Sequence, residues 1–138
     1  MSDRVVKELD IDALRASFLV YTRAAFNTIP RLRRPRILEV GCGSGAATIE
    51  LARLSDGEIT AVDPDRDALE GLHLKIQEYG LSNRVQMVDC SIFETGIAAD
   101  TFDIVWEEGV FHLLETDLAL AEAARLVVSG GYLVMFET

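Results

Sequence analysis

Glu39, Gly41, Gly43 and Gly45 stand close together in the stretch RILEVGCGSGAAT, residues 36 to 48. An apolar run ends in three glycines spaced two apart, with a carboxylate two places before the first. Glycine-rich turns that follow a strand cradle nucleotides. A dinucleotide would bring its pyrophosphate against such a turn, and Glu39 would repel it, so this acid calls for a cationic group nearby. Two more acids, Asp63 and Asp89, each end an apolar stretch, ITAVD and VQMVD. Glu107, Glu108 and His112 follow a third such stretch, FDIVW. A histidine titrates near neutrality and could deprotonate a hydroxyl or an amine. His112 lies between Phe111 and Leu113, so packing is an equal reading of it.

These residues need elements to carry them. Leu14, Phe18, Tyr21, Ala25 and Ile29 recur at helical spacing. They predict an amphipathic helix over 11–29, capped by Asp10 or Asp12 and ended before Pro30. RILEV reads as a buried strand, AATIELARL as a helix stopped by SDG, and EITAVD as a second strand. Residues 65–79 read as a helix closed by Gly80. RVQMVD and FDIVW follow as strands, DLALAEAARLV as a helix, and YLVMFE as a fifth strand after a Gly130-Gly131 turn. Strands alternating with helices predict βαβ units, a parallel sheet and an α/β fold with helices on both faces. Such sheets bind ligands outside the carboxyl ends of their strands. The glycine turn, Asp63 and Asp89 gather there.

The chain has 138 residues, 49% hydrophobic and 26% charged, which suits one domain spanning 1–138. A formal net charge of −10 argues against a nucleic-acid partner, because phosphate neutralisation supplies most of that affinity. The basic cluster RLRRPR reads as a solvated turn. The first ten residues, MSDRVVKELD, lack the apolar core of a signal peptide, and no apolar run is long enough to span a membrane. Cys42 and Cys90 have neither disulfide-framework nor metal-ligand spacing. They read as reduced thiols of a cytoplasmic protein with no metal site. His73 reads as a partly buried helix residue and Trp106 as core, with its ring edging a ligand as the lesser alternative.

GCGSGA alone fits two families of ligand. Gly41, Gly43 and Ala46 match the dinucleotide fingerprint, with Asp63 near the expected offset. Against it stand Glu39 and the lack of room for a second nucleotide half and a catalytic domain. LEVGCGSG resembles instead the first motif of the class I S-adenosylmethionine-dependent methyltransferases, acid-x-Gly-x-Gly-x-Gly. ITAVDPD resembles the second motif, VQMVDCSIFE the third, FDIVWEEGVFHLL the fourth and ARLVVSGGYLVMFE the segment around strand five. YTRAAF before the first strand and WEEG after the fourth resemble a group of small generic methyltransferase domains. The resemblance runs in family order from about residue 18 to the end of the sequence.

The resemblance implies a three-layer Rossmann-like sandwich, strand order 3-2-1-4-5, with the 11–29 helix over the cofactor site. It implies S-adenosylmethionine as cofactor, S-adenosylhomocysteine as product and a small-molecule methyl acceptor. Gly41, Gly43 and Gly45 would let the backbone approach the methionine part of the cofactor. Glu39 would accept from its ammonium and Asp63 from both ribose hydroxyls. Asp89 would accept from the adenine amino group, with the Cys90 and Ser91 backbone nearby. Cys42, Pro64 and Glu107 complete the cofactor's surroundings. The alternative for Asp63 is a helix cap, which Asp65 could equally supply; for Asp89 it is a turn acid closing strand three. Glu39 would need a partner of its own if it were only structural. Glu108 and His112 are the candidates on the acceptor side, with no assigned catalytic residue, and Gly109 would let the loop pass close to the sulfonium.

Methyl transfer from a sulfonium expels a neutral thioether, so alignment in a water-poor pocket supplies most of the acceleration. A binding module without turnover and a dinucleotide oxidoreductase are the competing readings. YLVMFET is apolar on both alternating faces, the pattern of a covered strand. The implied order nevertheless puts it at an edge, where relatives add two more strands. The sequence therefore predicts either a homodimer through strand five or a natural chain longer than 138 residues.

Overall fold

The computed structural model describes residues 18–108 and 114–136. Its elements are α1 (Leu19–Thr28), β1 (Arg36–Val40), α2 (Ala46–Leu54), β2 (Glu58–Val62), α3 (Arg66–Glu78), β3 (Val85–Val88), β4 (Phe102–Glu108), α4 (Thr116–Leu126) and β5 (Val127–Phe136). A 3₁₀ turn, Ile92–Glu94, lies between β3 and β4. The five strands form one sheet in the order 3-2-1-4-5, and every pairing is parallel. The sequence expectation for class, order and element sequence holds.

Side chains alternate across a strand, so each strand feeds two cores. Ile37, Ile59, Ala61, Ile104 and Trp106 face α2 and α3 together with Leu51, Leu72 and Ile76, and Ala25, Phe26 and Ile29 of α1 pack on that cluster. Leu38, Val40, Val62 and Val105 face Ala119, Ala123 and Leu126 of α4. The sheet is thus sandwiched between α1–α3 and α4. Among the described residues no helix is long and apolar enough to cross a membrane.

Local chemistry sets the boundaries. Asp65 caps α3, accepting from the Asp67 and Ala68 amides, and Gly80 closes it at φ 65°. The Gly80 amide donates to Gln77 and the Leu81 amide to Ile76, the paired bonds of a left-handed helix stop. The C-terminus of α2 is covered from outside. Arg84 donates to the carbonyls of Ala52, Ser55 and Gly57 at 2.8, 3.2 and 3.2 Å, placing a cation where the helix dipole is negative.

Four expectations need correction. Tyr21 was expected on the buried face of the first helix, with Phe18. It is 58% exposed and Phe18 42%, while Thr22 is buried, so the inward stripe is Thr22, Ala25, Phe26 and Ile29. A polar residue can take that place because it finds a partner, described below. β4 runs through Glu107 and Glu108, which were expected to follow it. His73 is exposed, because α3 turns Leu72 inward and His73 and Leu74 outward. β5 begins at Val127, immediately after α4, and contains Gly130 and Gly131 instead of following them. Phe102 pairs with Val127 but Ile104 with Tyr132, so the intervening residues bulge out of the ladder. A Cβ on Gly131 would lie 2.8 Å from the Asp103 carbonyl oxygen, which is why the bulge can close only with glycine there.

Candidate functional site

The carboxyl ends of β1, β2 and β3 bring together the glycine turn and the two terminal acids. Gly41, Gly43 and Gly45 have φ of 68°, 55° and 97°, the left-handed region that side chains avoid. The turn is held from within. The Gly41 and Cys42 amides donate to the Val62 carbonyl at 2.8 and 3.2 Å, and the Gly45 amide to Cys42 at 3.1 Å. The Gly43 amide donates to Oδ2 of Asp63 at 2.9 Å. Four amides of the turn are therefore satisfied by the protein itself.

Asp63 is half-buried, and its two oxygens do different work. Oδ2 takes Gly43, and Oδ1 accepts from the Asp65 amide at 2.8 Å. Asp65 caps the helix, so Asp63 is not the cap. An ionised carboxylate offers about four lone-pair sites, which leaves acceptor capacity on both oxygens toward the cleft. Pro64, between the two acids, is exposed.

Glu39 is 4% exposed on the α2 side of β1 and accepts from the hydroxyl of Thr48, itself fully buried. Thr48 is the partner that a buried strand acid requires. Asp89 is exposed beyond β3, where Arg66 on α3 donates to it at 2.6 Å. Cys90 and Ser91 follow, with Ser91 capping the 3₁₀ turn through the Phe93 amide. Burial pushes the Cys90 thiol above its ordinary range, and Asp89 and Glu94 add to the shift. Cys42 is buried within the core under the turn.

The two acids of β4 diverge. Glu107 pairs in register with Val40 and is fully buried; alternation turns it toward α4. Glu108 faces α1. Its Oε1 accepts from the Thr22 hydroxyl at 2.8 Å and from the indole N–H of Trp106 at 2.9 Å. A second link joins α1 to the turn's own helix, from Arg23 to the buried Glu50 at 2.7 Å. Gly109 and His112 lie outside the described residues.

Thr22, Thr48, Arg66 and Trp106 were not among the site residues expected from sequence. Only their positions signal them: a threonine in an apolar helical stripe, or one turn past the glycines, must find a buried acceptor. The acceptor set suits a ligand that is cationic at one end and carries hydroxyls at the other, since the carboxylates of Glu39 and Asp63 both stand at the turn.

A methyltransferase-domain family model matches residues 38–135. An uncharacterised protein of Synechococcus is 37% identical over 109 residues, covering 78% of this chain and 26% of its own length. The 27-O-demethylrifamycin SV methyltransferase of Amycolatopsis mediterranei is 25% identical, covering 78% of this chain and 40% of its own. A ribosomal protein uL3 glutamine methyltransferase of Neisseria gonorrhoeae is 38% identical over 69 residues, 49% of this chain and 22% of its own. The chain thus spans less than half the length of these relatives.

Among solved structures, the [4+2]-cyclase SpnF superposes with a TM-score of 0.77 at 26% identity, over 83% of this chain and 43% of its own. The geranyl diphosphate C-methyltransferase of Streptomyces coelicolor, solved with S-adenosyl-L-homocysteine, gives 0.78 at 14% identity over 83% and 44%. With the family model covering most of the sheet, the chain belongs to the methyltransferase-domain family, among the class I S-adenosylmethionine-dependent methyltransferases.

Proposed function

We propose that this chain binds S-adenosylmethionine at the carboxyl ends of β1–β3 and transfers its methyl group to a small-molecule acceptor. The carrying observation is the convergence of Glu39, the inward-bonded turn Gly41–Gly45 and Asp63. Those turn amides are already occupied by Val62, Cys42 and Asp63, so they are not presented to a pyrophosphate, while the surrounding carboxylates favour a cation.

When bound, the cofactor supplies an electrophilic methyl group on a sulfonium. The protein's residues bind and orient it. Glu39, steadied by Thr48, would accept from the ammonium. Asp63, steadied by two backbone amides, would accept from the ribose hydroxyls. Asp89, with Arg66 on one oxygen, would accept from the adenine amino group, flanked by Cys90 and Ser91. Cys42, Pro64 and Glu107 would border the pocket, and α1 would lie over it. Glu108 and His112 stand on the acceptor side.

A small acceptor is favoured because the rifamycin relative matches 78% of the chain, whereas the protein-glutamine methyltransferase matches only 49%. We also propose a cytoplasmic setting, which two cysteines outside any disulfide would suit. A second reading, cofactor binding without methyl transfer, has support in the cyclase neighbour at 26% identity.

Titration calorimetry should show binding of S-adenosylhomocysteine and no response to NAD. Tight NAD binding with silence toward S-adenosylhomocysteine would end the methyltransferase reading. A methyl-transfer screen then separates turnover from binding alone. For partners, we propose a second copy against the edge of β5, which no other described strand pairs. Light scattering at micromolar concentration should report a dimer, and a monomer throughout that range would remove it.

A further inference from the structure

We propose that Thr22, Glu108 and Trp106 act as a positioning unit that holds α1 against the glycine turn in its ligand-binding arrangement. The inference rests on the cofactor reading above, and it reassigns Glu108 from a chemical candidate to a latch.

The register supplies the placement. Val40 pairs with Glu107, so one step further Glu108 lies level with Gly41, the first glycine of the turn. The Thr22 hydroxyl reaches Glu108 there, at 2.8 Å against 3.5 Å to its own helix carbonyl at Phe18. Trp106, fully buried, donates to the same oxygen from two residues back and so fixes the carboxylate's rotamer. The indole ring also packs against Phe26 of α1, with centroids 6.3 Å apart.

Among the described residues, the first turn of α1 has few other side-chain contacts. A ten-residue helix is marginal in water without tertiary contacts. Its apolar contacts, Ala25, Phe26 and Ile29, lie toward the C-terminal half, while Phe18, Val20 and Tyr21 at the other end are exposed. Arg23 is half-exposed, and its pair with Glu50 is correspondingly screened. The part-buried Thr22–Glu108 hydrogen bond therefore decides where the first turn sits. Apparent affinity scales with the fraction of molecules that hold the binding arrangement, so weakening the latch weakens binding without touching the ligand.

The test compares the parent chain with Thr22→Val and Thr22→Ser, by calorimetry with S-adenosylhomocysteine and by amide exchange across residues 19–28. Loss of one hydrogen bond to a charged acceptor should weaken binding by roughly ten-fold in Thr22→Val. Thr22→Ser keeps the hydroxyl and should return to within about two-fold of the parent, on the same grounds. Ligand should slow exchange over 19–28 markedly in the parent and in Thr22→Ser, and only weakly in Thr22→Val. A purely structural role would not produce that ligand-dependent difference. Parent-like affinity in Thr22→Val, or a Thr22→Ser protein as weak as Thr22→Val, overturns the latch and leaves the cofactor reading standing. A parent that does not bind S-adenosylhomocysteine overturns both. If Thr22→Val does not fold, Glu108→Gln replaces it, with an expected loss of about three-fold because a neutral acceptor bonds less strongly. Unchanged affinity there overturns the latch equally.

Discussion

Gly45→Ala should destabilise the fold by about 2–5 kcal/mol, a large share of the roughly 5–15 kcal/mol that holds a domain together. Two causes add. At φ 97° a side chain meets its own backbone, which costs roughly 1–2 kcal/mol. The new Cβ would also stand 2.3 Å from Cδ1 of Leu72 and 3.3 Å from its Cγ. Leu72 is fully buried in the α3 core, so its retreat must displace packed neighbours, and overpacking adds roughly 1–3 kcal/mol. Urea unfolding measures the total, and a Leu72→Ala background separates its parts. There the Gly45→Ala step should cost only the backbone share, about 1–2 kcal/mol. Equal costs in both backgrounds would show that the contact with Leu72 plays no part.

Asp63→Ala should lower the affinity for S-adenosylhomocysteine roughly 10- to 150-fold, the equivalent of about 1.5–3 kcal/mol for hydrogen bonds to a charged acceptor. The chain should remain folded, because Asp63 is half-buried, the Asp65 amide belongs to an exposed residue, and removing the carboxylate opens room for water beside the Gly43 amide. Asp63→Asn should recover little. Its two oxygens serve two different N–H donors, and a carboxamide presents one oxygen to one donor while its NH₂ faces the other. Calorimetry on both variants checks this. An affinity equal to that of the parent would leave Asp63 with the turn alone.

The placement of the candidate site was legible where one residue type has one physical reason to be there. Three glycines spaced two apart have few uses besides a left-handed turn, and all three adopt it. Acids closing apolar strands pointed to the sheet's carboxyl ends, where Asp63 follows β2 and Asp89 follows β3. Alternating elements led to the strand order, since parallel strands need helical crossovers. What stayed hidden depends on pairings across long separations. Thr22 meets Glu108 across 86 residues, and nothing local in YTRAAF marks its threonine over its tyrosine as the inward residue. Thr48 reads as an ordinary helix residue until β1 places Glu39 beneath it. Arg66 likewise meets Asp89 only after α3 has crossed back over the sheet. The apolar periodicity of the first helix was correct in kind but about one residue out of phase over the described residues, because the hydrogen bond of the buried Thr22 to Glu108 outweighed the exposure of an aromatic ring.

The fifth strand was misread at its start for a related reason. A pair of glycines is the sequence mark of a turn, and here it marks a bulge inside a ladder. That bulge also shapes what the outer margin of the described sheet can accept. Tyr132 to Phe136 pair with β4 in unbroken register, a run of about 17 Å at the usual rise per residue. Before it, Val127 belongs to a separate register, and the extra residues between them twist the backbone away from the plane. An approaching strand therefore finds one short, regular docking stretch and not a ten-residue template. Indiscriminate sheet extension, the usual hazard of an apolar margin, is curtailed at its N-terminal half by the same two glycines that let the strand begin directly from the helix.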